Sequence, residues 1–253
     1  MRSEEPDNKQ RENVGVQKVG ELVDQNKYFY NEDESIPVIE KLFGAHIGKY
    51  VLEIGSGTGA IAHWLVKCGA SVTAVEPELV LAKKILPRFL SSDDIEVIIG
   101  GSTDAYRQLA EKNKAFDTVI YLNAMDHIAD DLGEFVKAKG MLKPGGKLLV
   151  YVPALPWLYS QIDIDTGHAR RYTKKMLREV TTKSGLDVVS LQYFEVVGII
   201  PYLIVYKLLR RRVVTDSSSG FYNKAILPLS LMLHKIMRGR LIGKNLVLIA
   251  RKP

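Results

Sequence analysis

The sequence predicts an α/β fold in which a mostly parallel sheet is covered by helices on both faces. Short apolar segments alternate along the chain with segments of helical spacing, as in strand–helix–strand units with right-handed crossovers. The apolar segments carry few polar residues on either face, which is typical of parallel strands buried on both sides. A glycine-rich turn, GSGTG at 55–59, joins the first of these segments to a helix. We expect seven strands, with a helical insertion before the last.

Each element follows from its apolar spacing and from the residues that end it. Thr173 offers a side-chain oxygen as the N-cap of a helix that runs to about Lys183. Pro87 is expected to disturb the end of its helix, because proline lacks the backbone N–H. The predicted strands are 50–54, 71–75, 95–100, 116–122, 146–153, 186–196 and 245–252, and the predicted helices are 35–43, 60–67, 78–90, 103–111, 131–141 and 173–183.

The chain is expected to form one elaborated domain over 35–253, preceded by a polar extension over 1–34 that is partly flexible. Segment 197–243 has no place in the strand–helix alternation, and we expect it to form a helical cap. It begins with an apolar helix predicted over 196–209, followed by a basic cluster at 210–212, a polar break at 215–220 and a second helix over 225–238.

Charge and composition limit the location and the partners. From residue 196 onward there are 11 Lys and Arg against one acid, a net +10, whereas the rest carries −4. A basic end favours an anionic partner, although a solvated basic surface explains it equally. The single cysteine, the missing signal-peptide pattern and the lack of an 18-residue apolar run predict a cytoplasmic location. Peripheral membrane contact through 197–243 stays an alternative.

The glycine turn lies in VLEIGSGTGA (51–60), where Gly55, Gly57 and Gly59 follow a strand and open a helix. Glycine tolerates positive φ, and the helix N-terminus adds oriented N–H donors. Gly55-x-Gly57-x-x-Ala60 also fits the dinucleotide-binding pattern. Glu53, inside the strand, favours an amino-acid ligand, because its carboxylate can accept from an ammonium group. Glu76 closes the second strand, where an acid can accept from both ribose hydroxyls.

The motifs resemble those of class I S-adenosylmethionine-dependent methyltransferases, which have a Rossmann-like sheet. The resemblance runs from about 35 to 195 and includes FDTVIYLNAMDHI (116–128) and LKPGGKLLVYVP (142–153). It implies that the last strand is antiparallel and inserted beside the fifth. The usual aspartate after the third strand is replaced by GGSTD (100–104), so the adenine contact is open. The cofactor residues that it implies are Glu53, Gly55, Ser56, Gly57, Gly59, Glu76, Pro77, Ser102, Thr103 and Asn123.

The acceptor site is expected after the fourth and fifth strands, since ligands bind at the carboxyl ends of such sheets. His127 follows the fourth strand, and His168 lies in GHARRY (167–172) after the fifth. That run is similar to a G-H-x-R-R-Y run in a bacterial branch of the family often associated with glycan-modifying enzymes. We expect His168 to be the base, with His127 in reserve, and Arg170, Arg171 and Tyr172 to bind the acceptor.

A structural alternative stays open for each of these residues. His127 can simply pack beside the cofactor, an arginine of the run can tie down the loop, and Tyr172 can pack in the core. Ser102 and Thr103 can be plain helix caps, Asp126 can cap a helix, and Asp163 and Asp165 can pair with the arginines. No metal site is predicted, because no spacing typical of metal ligands stands out.

The predicted function is methyl transfer from S-adenosylmethionine to a small-molecule or glycan acceptor, at oxygen. The acceptor can be anionic or lipid-linked, a homo-oligomer is open, and a nucleic-acid partner is not expected. Two alternatives remain. One is a nicotinamide-dependent oxidoreductase on a similar sheet, against which Glu53 and LKPGG argue. The other is a non-catalytic module that binds S-adenosylmethionine.

Overall fold

The computed structural model describes residues 32–89, 94–209, 227–237 and 242–253. The predicted N-terminal extension falls almost wholly outside these residues. So do the basic cluster at 210–212 and the polar break at 215–220.

The sheet has seven strands in the order β3-β2-β1-β4-β5-β7-β6. Neighbouring pairs are parallel except that β7 runs antiparallel to both β5 and β6. The predicted seven-stranded, mostly parallel sheet and the position of its last strand are therefore confirmed. The strands are β1 (Tyr50–Ile54), β2 (Ser71–Glu76), β3 (Ile95–Ile99), β4 (Phe116–Leu122), β5 (Leu142–Pro153), β6 (Asp187–Phe194) and β7 (Asn245–Arg251).

Helices cover both faces of the sheet, and each face has its own core. Successive strand residues point to opposite faces, so Leu52 packs in one core and Val51 in the other. Helices α1 to α3 cover the Val51 face, and α4, α5 and α7 cover the Leu52 face. The helices are α1 (Glu32–Phe43), α2 (Ala60–Lys67), α3 (Leu79–Ile85), α4 (Ser102–Glu111), α5 (Asp131–Met141), α6 (Gln161–Asp165), α7 (Lys174–Lys183), α8 (Ile199–Tyr202) and α9 (Leu227–Met237).

Several boundaries differ from the prediction. Helix α3 ends at Ile85, and the chain continues as a 3₁₀ turn over Leu86–Phe89 that contains Pro87. Strand β5 begins at Leu142 instead of 146, because Leu142 pairs with Phe116 before the register shifts. The short helix α6 was not predicted. The predicted cap of α7 is confirmed, since the Thr173 hydroxyl accepts from the Met176 N–H at 3.2 Å.

The described part of the insertion is helical, as expected. Its first helix is irregular: α8 spans Ile199–Tyr202 and continues as a π-helix over Leu203–Leu208. The second helix is α9. None of the helices in the described ranges has the length and apolar character that a membrane span requires.

Candidate active site

The glycine loop is tied to β2 by its own backbone. The N–H groups of Gly55 and Ser56 both donate to the carbonyl of Val75, at 2.9 and 3.0 Å. Gly55, Gly57 and Gly59 have φ angles of 76°, 55° and 81°, in the region that L side chains rarely adopt. The N–H groups of Gly55, Ser56 and Gly57 are thus bonded to β2 and to the acid that closes it, which fixes the loop at the start of α2.

The loop also packs closely on its neighbours. A Cβ at Gly55 would stand 2.6 Å from the Cβ of Ala124, and a Cβ at Gly59 would stand 2.9 Å from Cγ2 of Ile85. Glycine at 55 therefore allows the loop to contact the segment that follows β4. This contact places the glycine loop next to the residues after Ala124.

The two predicted acids lie where the resemblance requires them. Glu76 is buried at the end of β2, and its carboxylate accepts from the N–H groups of Gly57 and Glu78 at 2.8 and 2.9 Å. These contacts fix the carboxylate beside the loop. Glu53 is buried within β1. Pro77 is exposed and follows Glu76 directly.

At the end of β3, the predicted cofactor residues Ser102 and Thr103 contact another helix. The Ser102 hydroxyl donates to the buried carboxylate of Glu134 at 3.0 Å, and the Thr103 hydroxyl accepts from Lys137 at 2.9 Å. Both side chains tie α4 to α5. Neither caps the helix, because the N-cap residue is Gly101. A Cβ at Gly100 or Gly101 would meet no described atom within 4 Å, so this corner is open.

The carboxyl edge of the sheet carries strained backbone. Among the described residues, four non-glycine residues have positive φ, and three of them follow a strand: Asn123, Leu155 and Glu195, after β4, β5 and β6. Such conformations cost about 1–3 kcal/mol each and concentrate at functional sites. Asn123 is exposed, and its N–H donates to the carbonyl of Tyr151 at 2.8 Å.

Both predicted catalytic histidines meet one buried acid at this edge. Nε2 of His168 lies 3.2 Å from Oδ2 of Asp126, and Nε2 of His127 lies 4.0 Å from the same oxygen. The two imidazole rings pack edge to face, with centroids 4.8 Å apart. We call Asp126, His127 and His168 the His–Asp cluster. It begins two residues after Ala124, the residue on which the glycine loop packs.

Burial distinguishes the members of the cluster. The Asp126 side chain is fully buried, whereas the side chains of His168 and His127 are 20% and 41% exposed. Burial raises the pKa of the Asp126 carboxyl, although both histidines oppose this effect. Asp126 lies in a 3₁₀ turn, Met125–His127, and the cap of α5 is Asp130. The alternative of Asp126 as a helix cap is therefore wrong.

A second buried acid holds the other side of the His168 ring. Oδ1 of Asp163 lies 3.0 Å from Nδ1 of His168 and accepts from Nε of Arg171 at 2.8 Å. Burial alone would raise the pKa of Asp163, but His168 and Arg171 outweigh burial and lower it to about 2. Asp163 is therefore ionised, and we infer that Nδ1 of His168 carries the proton that it accepts.

The arginines and the tyrosine of GHARRY are engaged within the protein. Arg171 is buried and also donates to the Tyr202 hydroxyl at 2.6 Å and to the Ala154 carbonyl at 3.3 Å. Arg170 donates to Asp131 at 2.6 Å and to the carbonyl of Ala129. The geometry favours the structural alternative for Arg171, and of the two arginines only Arg170 keeps some exposure.

Tyr172 is fully buried in the core, where its hydroxyl donates to Asp131 at 3.3 Å. The structural alternative fits this residue too. The predicted pairing of Asp163 with an arginine is confirmed, and the carboxylate of Asp165 accepts from Gln161. Loop 167–172 is thus a rigid support for His168.

The chain matches the Methyltransferase domain family over residues 30–191. It belongs to this family. The match covers β1 to β5, the glycine loop and all members of the His–Asp cluster.

Relatives and solved structures agree with this assignment. A ubiquinone biosynthesis O-methyltransferase from Xanthomonas euvesicatoria is 32% identical over 106 residues, which are 41% of this chain and 42% of that protein. The chain thus spans less than half the length of the curated relatives that it matches.

Two solved structures cover most of this methyltransferase domain. A SAM-dependent methyltransferase from Archaeoglobus fulgidus superposes with a TM-score of 0.59 at 16% identity, over 90% of this chain and 97% of that chain. The 1,6-didemethyltoxoflavin-N1-methyltransferase from Burkholderia thailandensis gives 0.58 at 17% identity, over 90% and 82%. At these identities the similarity establishes the fold.

Proposed function

We propose that this methyltransferase domain transfers the methyl group of S-adenosylmethionine to an oxygen of a small-molecule acceptor. One observation carries the proposal: the glycine loop packs on Ala124, two residues before the His–Asp cluster. A cofactor in the loop and an acceptor at the cluster would therefore be neighbours. Proximity and alignment are the main contributions that a protein makes to a direct displacement.

The loop region fits S-adenosylmethionine. Its glycines allow a ligand to approach the backbone closely, the fixed Glu76 carboxylate suits the ribose of the cofactor, and buried Glu53 suits its ammonium group. The open corner at Gly100 and Gly101 has room for the base. When bound, S-adenosylmethionine supplies a methyl group on a positively charged sulfur, which keeps the bonding electron pair when the acceptor oxygen takes the methyl.

The His–Asp cluster suits an oxygen acceptor, because a hydroxyl must lose its proton as the new O–C bond forms. Nδ1 of His168 is held by Asp163, which fixes the ring, and Nε2 lies 3.2 Å from the carboxylate of Asp126 within the cluster. A ring nitrogen of His168 or of the more exposed His127 accepts the proton. The name of the Xanthomonas relatives, an O-methyltransferase, supports oxygen as the acceptor atom. A positioned base typically contributes about 10²–10⁴ in rate.

The cofactor site is tested by calorimetric titration of S-adenosylhomocysteine. We expect binding of one molecule per chain to the wild type and a loss of at least about tenfold in affinity in Glu76→Ala, which is about 1.4 kcal/mol. Glu78→Ala is the matched control, because Glu78 is exposed and only its backbone N–H contacts Glu76. Binding of a nicotinamide dinucleotide in place of S-adenosylhomocysteine would refute the proposed cofactor.

Methyl transfer is tested with labelled S-adenosylmethionine and a panel of phenols, alcohols and amines. We expect product from hydroxyl acceptors and a fall in kcat of about 10²-fold or more in His168→Gln. His46→Ala is the control, since His46 lies before β1, at the opposite edge of the sheet. Transfer to amines alone would refute the oxygen assignment.

An acceptor with an apolar tail is favoured by the surface of the insertion. Ile200, Ile204, Leu208 and Leu209 expose 66%, 47%, 76% and 56% of their area on adjacent turns of α8 and the π-helix. Exposed apolar patches of this kind mark ligand, protein or membrane contacts. We expect methyl transfer to an alkylated phenol to have a lower KM than transfer to its short-chain analogue. Ile200→Ser with Leu208→Ser should remove that difference, and an unchanged ratio would exclude this role.

A further inference from the structure

We propose that the His–Asp cluster binds a divalent transition-metal ion of the Zn²⁺ class, through a carboxylate oxygen of Asp126 and ring nitrogens of His127 and His168. The three residues come from two places in the chain, a 3₁₀ turn after β4 and the loop after α6. The fold brings their ligand atoms within 4.8 Å of one another.

The spacing is close to that of a coordination shell. Two ligands of a tetrahedral site with bonds of about 2.0–2.1 Å lie about 3.3 Å apart. Nε2 of His168 and Oδ2 of Asp126 are 3.2 Å apart. The corresponding distance for Nε2 of His127 is 4.0 Å, and this side chain is the most exposed of the three. Coordination by all three residues would therefore require His127 to move closer to Asp126.

The buried carboxylate of Asp126 points independently to a missing partner. Its side chain is fully buried, and neither oxygen has a hydrogen bond among the residues that the structure describes. The contact with His168 is close in distance but is not aligned as a hydrogen bond. A buried carboxylate without a hydrogen bond is costly unless a positive charge lies beside it, and a metal ion held between Asp126 and the histidines would supply that charge.

The contacts around His168 are typical of a metal-bound histidine. Such a histidine usually donates its second ring N–H to a carboxylate, which fixes the tautomer and the ring orientation. Nδ1 of His168 faces Asp163 at 3.0 Å, and Asp163 is in turn held by buried Arg171. Nε2 is then the ring nitrogen that faces Asp126, at 3.2 Å, and is the one placed to bind an ion between the two residues.

The donor set selects the class of ion. Two imidazoles and one carboxylate suit Zn²⁺, Fe²⁺ or Co²⁺, whereas Mg²⁺ and Ca²⁺ prefer oxygen ligands alone. Three protein ligands leave at least one coordination position for a water or a substrate oxygen, as in catalytic zinc sites. His127 forms the exposed side of the cluster, so the open position is accessible to a small molecule.

The chemical consequence rests on the proposed function, although the binding does not. A bound ion would lower the pKa of a hydroxyl oxygen at the open position, so that its proton would pass to water before transfer. The histidines would then act as ligands instead of proton acceptors. The two routes differ in one observable, because only the metal route is stopped by a chelator and restored by added ion.

Metal binding is measured on the full chain without cofactor or acceptor, so that its failure is separate from a failure of methyl transfer. Chelator-treated protein is titrated with Zn²⁺ by calorimetry and with Co²⁺ by visible absorption, which reports imidazole coordination. The variants are Asp126→Asn, which keeps the side-chain shape, and His127→Ala at the exposed position. His46→Ala is the matched control, and circular dichroism verifies folding.

We expect one ion per wild-type chain, with visible Co²⁺ bands. Affinity should fall at least tenfold in Asp126→Asn and in His127→Ala and stay unchanged in His46→Ala. The proposal is overturned if the chelator-treated wild type gives no Co²⁺ bands. It is equally overturned if folded Asp126→Asn and His127→Ala both bind as the wild type does.

Discussion

Replacing Gly55 by alanine tests whether close packing of the glycine loop on the segment after β4 builds the cofactor site. The new Cβ would stand 2.6 Å from the Cβ of Ala124, well inside van der Waals contact, at a φ of 76°. Gly69 offers the matched control, since its φ is 86° and its Cβ would meet no described atom within 4 Å. The two substitutions share the backbone cost and differ in the clash.

The magnitudes follow from these two contributions. A left-handed conformation costs a non-glycine residue about 1–2 kcal/mol, and the stiffer unfolded chain returns about 0.4–1 kcal/mol. Gly69→Ala should therefore lower the free energy of unfolding by roughly 1 kcal/mol. Gly55→Ala adds an overpacking cost of about 1–3 kcal/mol. We expect its total to be about 2–4 kcal/mol.

The assay is urea unfolding of both variants, followed by titration with S-adenosylhomocysteine. Gly55→Ala should also weaken binding at least tenfold, whereas Gly69→Ala should bind as the wild type does. In an Ala124→Gly background the clash partner is gone, so Gly55→Ala should cost no more than Gly69→Ala. Equal costs for Gly55→Ala and Gly69→Ala in the wild-type background would refute the packing argument.

Three further substitutions test contacts that support the site. Arg171→Met should lower the free energy of unfolding in urea by about 3–5 kcal/mol, because it leaves the carboxylate of Asp163 buried without its arginine. Arg170→Met removes a partly exposed ion pair and should lower it by about 1 kcal/mol or less. Equal losses in the two variants would contradict this reasoning. Thr173→Ala should cost about 1 kcal/mol, the usual value of an N-cap, and a thermal shift near zero would count against the cap. Burial alone would raise the pKa of Asp117, but Lys143 and the Tyr50 N–H lower it. Because the folded pKa of Asp117 is below the unfolded value, the ionised carboxylate stabilises the protein above about pH 4, and this effect is lost as pH falls through the folded pKa. The difference in free energy of unfolding between the wild type and Asp117→Asn should therefore shrink in acid. A difference that does not change with pH would exclude the ion pair as its cause.

The fold was predictable because its signals are local. Each strand is a short apolar run, and several boundaries have a glycine, a proline or a cap close by in the sequence. The start of β5 was missed because it depends on pairing at a distance. Strand β5 begins at Leu142 because Phe116 is its partner across the sheet, and nothing within residues 142–146 reports that partner.

The site was predictable in part for the same reason. The glycine loop and Glu76 are adjacent in the sequence to the elements that place them. Asp126 and His168 lie 3.2 Å apart in space but 42 positions apart in the chain, so their meeting depends on the strand order. The spacing of metal ligands that sequence patterns detect is the spacing within one turn or loop. A cluster assembled from two strand ends gives no such signal, which is why no metal site was predicted.

Arg171 and His168 show how little residue type says about role within one loop. Both residues have ionisable side chains and lie in the same six-residue run. Arg171 is buried and bonded to Asp163, whereas His168 lies at the carboxyl edge of the sheet beside Asp126. The difference arises from Asp163, which binds both with one oxygen. A buried arginine can neutralise that carboxylate and hold it in place, and the fixed carboxylate then orients the imidazole. Strain after β4, β5 and β6 surrounds the same edge. The contacts of Arg170, Arg171 and Tyr172 with the rest of the protein thus hold in place the loop that carries His168.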